Sequence, residues 1–285
     1  MGEKAKAGLG YYYRTTPPYP LSRIDRLSAV GITAFFFFLY LFTCSHHVNV
    51  TGDSPELLAG AYSLGILHPP GYPLYTLLGY GFTHIPFGSI AFRLNFLSVL
   101  AHSLTLLLLY VSLVKMTRSR AASAIAVSML GFSYLFWFYS LVAEVFPLNN
   151  LFAVLLVYMS IRVREKWVAG DRKGSQRSLF LLAFLCGLSL THHQTVLFVF
   201  PAVLMFTAAP MIAVVRRPSR LMACTGLFLL GLAPYAYLPI SAARNPYLNF
   251  GDPSSLKNFI DVLLRRYYGS TTLWRGPAAT HRLDL

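Results

Sequence analysis

Seven apolar runs, at about 27–45, 92–114, 121–141, 145–161, 179–191, 194–215 and 221–240, are separated by short polar stretches. In lipid, every backbone N–H and C=O has to find its partner inside the protein, so each run predicts a helix. The first run, centred on "AFFFFLYLF", is about 19 residues long, enough to cross a ~30 Å hydrocarbon core. A cleaved signal peptide would have a shorter apolar core and a small-residue cleavage site, so this run is expected to be a retained first span. Hydrophobic residues make up 55% of the chain and charged residues only 12%, against roughly 25% charged in soluble domains. The expectation is an all-α polytopic membrane protein with about seven transmembrane helices.

The cations orient it. A net charge of +14 would suit nucleic acid, but the basic residues fall in clusters between apolar runs. Lys4, Lys6, Arg14, Arg23 and Arg26 precede the first run. Lys115, Arg118 and Arg120 form one loop, Arg162, Arg164, Lys166, Arg172, Lys173 and Arg177 a second, and Arg216, Arg217 and Arg220 a third. The three loops are two runs apart from one another and so share a side, which the positive-inside rule makes cytoplasmic. The region 71–91 is also apolar, but Gly71, Pro73, Gly79, Gly81, Pro86 and Gly88 interrupt it. Such breaks suit short interfacial helices better than a straight span. If 71–91 does not cross, the N-terminus joins the basic loops. The expected organisation is a cytoplasmic basic N-terminus (1–26), a multi-span membrane domain (27–240) whose loop 46–91 carries interfacial helices on the far side, and a far-side amphipathic segment with a tail (241–285).

The distinctive polar residues collect on that far side. In "GDSPELLAGAYSLGILHPPGYPLY", residues 52–75, Asp53, Glu56 and His68 stand with no Lys or Arg among them. Asp53 or Ser54 can cap a helix whose first position is Pro55, with Glu56 in the first turn. A carboxylate so placed can also accept a proton from a bound hydroxyl. His68 at the edge of the Pro69, Pro70, Gly71, Pro73 turn either anchors the turn or, protonated, contacts phosphate. Glu144, between two apolar runs, is a functional hypothesis by its depth, or a turn residue beside Pro147, Asn149 and Asn150. His192 and His193 are adjacent and lack the i, i+4 spacing of a zinc helix. Phosphate or hydroxyl contacts are the better expectation for them. Cys44, Cys186 and Cys224 make neither a metal pattern nor a disulfide framework. Neither metal nor cofactor is expected. Beyond the last run, "SSLKNFIDVLLRRYY" reads as an amphipathic surface helix, with Arg244, Arg265 or Arg266 able to clamp a phosphate. A sequon at Asn49 also falls on this side.

The segments "GDSPELLAGAYSLGILHPPGYPLY", "FGSIAFRLNFLS", "AEVFPLNNLF", "CGLSLTHHQT" and "LPISAARNPYLNFGDPSSLKNFIDVLLRRYYG" resemble, in this order, the transmembrane protein O-mannosyltransferases that act on IPT domains of plexin-type receptors. That family is part of the C-type glycosyltransferase (GT-C) superfamily. The resemblance runs from about 27 to 269. It implies mannose transfer from dolichyl-phosphate mannose to Ser or Thr hydroxyls of lumenal protein domains, at the endoplasmic reticulum membrane. By the same resemblance Asp53 is the general base, Glu144, His192 and His193 shape the donor site, and Arg244 offsets charge on the leaving phosphate. Such proteins usually have more spans and continue into a lumenal domain, whereas "PAATHRLDL" does not continue the pattern. Two other readings therefore stand beside the enzyme: a truncated, non-catalytic member of the same family, and a membrane lipid-binding or transport protein.

Overall fold

The computed structural model describes residues 17–50 and 52–268. The cations Lys4, Lys6 and Arg14, Thr51 of the sequon, and the tail from 269 lie outside the described residues. Helix α1 (Arg23–Thr43) opens with a capping box between Ser22 and Asp25. Two short helices follow, α2 (Ser54–Ser63) and α3 (Pro73–Thr83). At 1.5 Å per residue each is about 15–17 Å long, half of what a crossing needs. Then come α4 (Ile90–Thr117), the pair α5 (Arg120–Gly131) and α6 (Tyr134–Ser140), and α7 (Val145–Val168). Next are α8 (Arg172–Leu190), a 3-10 turn (Gln194–Val199) that runs into α9 (Phe200–Val215), and α10 (Pro218–Gly231). The described residues finish with α11 (Tyr237–Ala242), α12 (Leu256–Leu263) and a 3-10 turn (Arg266–Tyr268).

Four of these segments are long and apolar enough to cross a membrane: α1, α4, α7 and the continuous Gln194–Val215. The count rises to six if each bent pair, α5 with α6 (67°) and α10 with the segment Ala233–Ala242 (43°), makes one span. The chain is a multi-pass membrane protein. The remaining expected run, 179–191, forms α8. Its first turns carry Arg172, Lys173 and Arg177, so its apolar part is roughly 18 Å long, and length and composition alone do not make it a span.

The ends of the helices sort by charge. Lys115 Nζ lies 2.8 Å from Glu165 Oε1 and donates to the Tyr19 carbonyl at 3.3 Å. Arg118 donates to the Pro17 carbonyl, and Arg120 pairs with Asp25 at 2.6 Å. The segment 17–25, the α4–α5 loop and the end of α7 thus meet at one end of the bundle. Asp53, Glu56, His68, Glu144, His192 and His193 occupy the other.

Helix α4 contributes to two of the three apolar cores among the described residues. Val99, Leu106 and Tyr110 pack with Phe36, Tyr40 and Phe136. Leu94 and Leu97 pack with Leu57, Tyr75, Leu156 and Leu179. Between the cores His102, fully buried, links Ser140 (2.7 Å) and Asn150 (3.1 Å) and stacks on Phe136. Helices α8 and α10 touch backbone to backbone. A Cβ on Gly187 would strike the Phe228 carbonyl, and one on Gly231 would strike that of Phe184. Small residues at such crossings are how helices associate where lipid offers no hydrophobic drive.

Arg93, near the start of α4, folds back onto the loop before it. Its guanidinium donates to the carbonyls of Thr83, Phe87 and Gly88 and so caps the end of α3. Segment 241–268 is sewn to the α2–α3 region by a parallel bridge between Ile66 and Asn249, with Ile66 N–H donating to Leu248 O at 2.7 Å.

Candidate active site

The turn into α2 presents Asp53. It occupies the N-cap position, but its carboxylate makes no capping bond. Ser54 does not cap either, because its hydroxyl donates to the Ala143 carbonyl at 2.6 Å. The capping expectation for both residues is overturned. Pro55 at the helix start removes one N–H that would need a cap, and Ser54 is pulled towards Ala143. The Asp53 side chain is left 48% exposed, so a carboxylate at a helix N-terminus is open to ligands.

Gly52 and Glu144 fix the angle at which Asp53 is presented. Gly52 has φ +74°, a conformation that side chains resist, and a Cβ there would come within 2.7 Å of Glu144 Oε1. That same oxygen accepts the Asp53 backbone N–H at 3.2 Å. Glu144 is 4% exposed and its second oxygen has no hydrogen-bond partner. Burial, with the nearby Asp53 charge, pushes its carboxyl above the usual range despite the backbone bonds it accepts.

His68 faces Asp53 from across the turn. Its Nε2 is 3.7 Å from Asp53 Oδ2 and 3.2 Å from the Tyr72 hydroxyl. Glu56 holds the residue twice, accepting the backbone N–H at 2.6 Å and meeting ring Nδ1 at 2.9 Å. The Glu56 bond raises the His68 pKa against the opposing effect of burial. Burial would raise the Glu56 pKa, but the bonds from His68 outweigh it and bring it below the usual range. Pro69–Pro70 is cis, Gly71 (φ +86°) and Tyr72 (φ +41°) complete the turn, and Tyr72 stacks on His193.

The paired histidines have separate tasks. His192 is fully buried, and its Nε2–H donates to the Val145 carbonyl at 2.8 Å, which ties the α8 end to the start of α7. Its ring stacks on Tyr75, whose buried hydroxyl has no partner. His193, next to Tyr72, bonds the Thr195 hydroxyl at 2.7 Å. Burial lowers the basicity of both, to about 3 and about 4.

The structure therefore brings Asp53, Glu56, His68, Glu144, His192 and His193 to one end of the bundle. Arg244 is exposed beyond α11, where its charge acts on Tyr237. The cation that does approach is Arg265. Helix α12, capped by Ser255, stops at Leu263, earlier than the sequence pattern suggests. Arg265 takes a left-handed conformation (φ +56°), its guanidinium lies over the Tyr268 ring, and that ring sits edge-on to His68. Its charge reaches His68, Tyr72 and His193. The sequence signal was the "RRYY" end, but its choice among three arginines was open. Tyr72 and Tyr75 were missed, being indistinguishable in sequence from ordinary packing residues.

Asp53, Glu56 and His68 each offer a ligand atom, all within 4.8 Å of one another, so these three side chains could hold a divalent ion. In the present arrangement Glu56 is committed to His68. Chemically, the end of the bundle offers an accessible carboxylate, a histidine able to carry charge, a deep protonatable acid and one arginine. That set suits proton removal from a hydroxyl beside a phosphate leaving group.

The family profile described as "Protein O-mannosyl-transferase TMEM260 N-terminal domain" matches residues 53–212 and so begins on Asp53. The protein O-mannosyl-transferase TMEM260 of Mus musculus is 36% identical over 225 residues, 78% of this chain and 32% of that protein. The protein of the same name from Dictyostelium discoideum is 32% identical over 251 residues, 83% of this chain and 30% of that protein. The chain spans about a third of the length of the curated relatives it matches. No solved structure matches it. The profile covers more than half of the chain, which therefore belongs to the protein O-mannosyl-transferase TMEM260 family through its N-terminal domain.

Proposed function

We propose that the chain is the catalytic membrane part of a GT-C-like protein O-mannosyltransferase. The donor is dolichyl-phosphate mannose and the acceptor a Ser or Thr hydroxyl of an IPT-type domain in the lumen of the endoplasmic reticulum. The N-terminus and basic loops face the cytoplasm, which the gathering of Tyr19, Lys115 and Glu165 at one end supports. Helix α8, packed along α7 and α10, serves as the seventh span.

Asp53 accepts the proton of the attacking hydroxyl. The oxygen forms its bond to the anomeric carbon from the face opposite the phosphate, the bond from that carbon to the phosphate oxygen breaks, and dolichyl phosphate leaves with the electron pair. Mannose is therefore transferred with inversion. His68, positively charged and positioned by Glu56, and Arg265 offset the charge of the leaving phosphate. Arg244, exposed beyond α11, is available to the same phosphate. Glu144 fixes the Asp53 turn, while His192 and His193 hold the wall behind it. No metal takes part in this scheme.

The observation that carries this reading is the uncapped, half-exposed Asp53 carboxylate at a helix start, 3.7 Å from His68. The test is transfer of radiolabelled mannose from dolichyl-phosphate mannose to a purified IPT domain by the chain in detergent. Label on Ser or Thr supports the proposal. Absence of label, with donor bound, sinks it for this chain.

A further inference from the structure

Two cavities outside the candidate active site share the helices α8, α9 and α10, the first at the basic end of the bundle and the second running on from it towards the start of α9. The first, about 400 Å³, is lined by Arg172, Arg216, Arg217 and Arg220, with Trp167 and Gln176, and no Asp or Glu lines it. The Arg172 guanidinium is fixed over the Trp167 ring at 3.6 Å. The second, about 310 Å³, is apolar and lined by Leu182, Cys186, Val203, Met211, Cys224 and Phe228 among others. The two are consecutive along each helix. Gln176 gives way to Leu179 on α8, Met211 adjoins Pro210 on α9, and Leu221 follows Arg220 on α10.

Helix termini reinforce the charge. Both α8 and α10 begin at the basic cavity; α8 is capped by Asp171, which accepts the Gly174 N–H, whereas α10 has neither an acid in its first turn nor a side-chain cap. Arginines at a helix N-terminus oppose the helix dipole unless an anion sits between them. The positive-inside tendency accounts for cations in these loops. It accounts neither for a cavity walled by four of them nor for an apolar slot continuing from it into the bilayer.

We infer that this paired cavity binds one anionic phospholipid, with the phosphate headgroup among Arg172, Arg216, Arg217 and Arg220 and an acyl chain in the slot between α8, α9 and α10. Basic pockets between transmembrane helices are suited to such headgroups. The lipid would fasten the two basic loops together at the face opposite the Asp53 site.

The test is native mass spectrometry of the full chain in detergent, with phosphatidylinositol and phosphatidylcholine supplied in equal amounts. Wild type should retain phosphatidylinositol in preference. The triple variant Arg216→Gln, Arg217→Gln, Arg220→Gln should bind it on the order of 100-fold more weakly, while the corresponding triple Arg→Lys variant, which keeps the charge, stays within about tenfold. Cys224→Trp, which fills the slot, should weaken the lipid, and Leu221→Trp at its rim serves as the second variant should the first not fold. Equal retention of both lipids, or a Gln variant that binds like wild type, overturns the inference. So does soluble inositol phosphate binding as tightly as the lipid and unaffected by either Trp variant, since that would make the site one for a free phosphate compound.

Discussion

Glu144 Oε1 accepts the backbone N–H of Asp53 at 3.2 Å across 91 positions of sequence, so the deep acid holds the exposed one by its main chain and leaves its carboxylate free. Glu144→Gln keeps an acceptor oxygen, whereas Glu144→Ala removes it. Displacement of a reacting group by about 1 Å costs on the order of 100-fold. Mannose transfer by Glu144→Ala is therefore expected to fall by about that factor and by Glu144→Gln by much less, read as initial rates at matched donor occupancy. Equal losses would remove the positioning role.

Gly52 is the other half of that corner. Gly52→Ala adds a Cβ in a positive-φ conformation and against Glu144 Oε1. A strained residue of this kind costs about 1–3 kcal/mol, so thermal unfolding in detergent should show a lower Tm, with transfer reduced. An unchanged Tm would mean that the turn relaxes freely.

The Glu56–His68 pair gives a pH dependence whose sign follows from the two shifts. His68 is raised above 6.5, so its contribution is present below that pH and is lost as pH rises through the higher folded value. Glu56 is lowered below 4.5, so its contribution is present above that pH and is lost as pH falls through the lower folded value. Stability should therefore decline on the alkaline side, from about pH 6.5 upward, and Glu56→Gln should flatten that decline. A wild-type Tm that is constant from neutral to alkaline pH contradicts the pairing.

The crossing of α8 and α10 depends on Gly187 and Gly231. Gly187→Leu puts a bulky side chain where two backbones meet, and overpacking of this kind costs about 1–3 kcal/mol or more. The expected result is a destabilised protein, measured as lower yield of monodisperse protein in detergent. Gly226→Leu on α10, where no atom lies within 4 Å, should be tolerated.

Much of this architecture was legible because it is written in composition. Apolar runs predict helices, and the basic clusters predict which ends meet. The pairing of Lys115 with Glu165, and of Arg120 with Asp25, follows that pattern. Span count was less legible at α8, where an apolar half follows a basic one and neither length nor hydropathy decides. In the site, Asp53, Glu56 and His68 stood out because ionisable residues are rare in such a chain. Their relations did not. The fate of the Asp53 carboxylate depended on Ser54 bonding Ala143 and on Glu144 taking the backbone N–H, contacts about 90 residues apart that no local spacing encodes. The cation could not be read either. Stretch 52–75 contains no Lys or Arg, and the charge is supplied by His68 within it and by Arg265 from the far end of the described chain. Arg265 comes towards His68 because α12 ends early and the chain turns at its left-handed residue, which no local pattern announces.

The central claim is that Asp53 takes the acceptor proton. Its most direct test is the single-turnover rate of mannose transfer by wild type and Asp53→Asn, with dolichyl-phosphate mannose binding measured separately on both. A positioned base contributes about 10²–10⁴-fold, so the account predicts a rate loss in that range with donor affinity nearly unchanged. Transfer by Asp53→Asn at the wild-type rate would contradict it and leave Asp53 a structural residue of the α2 turn.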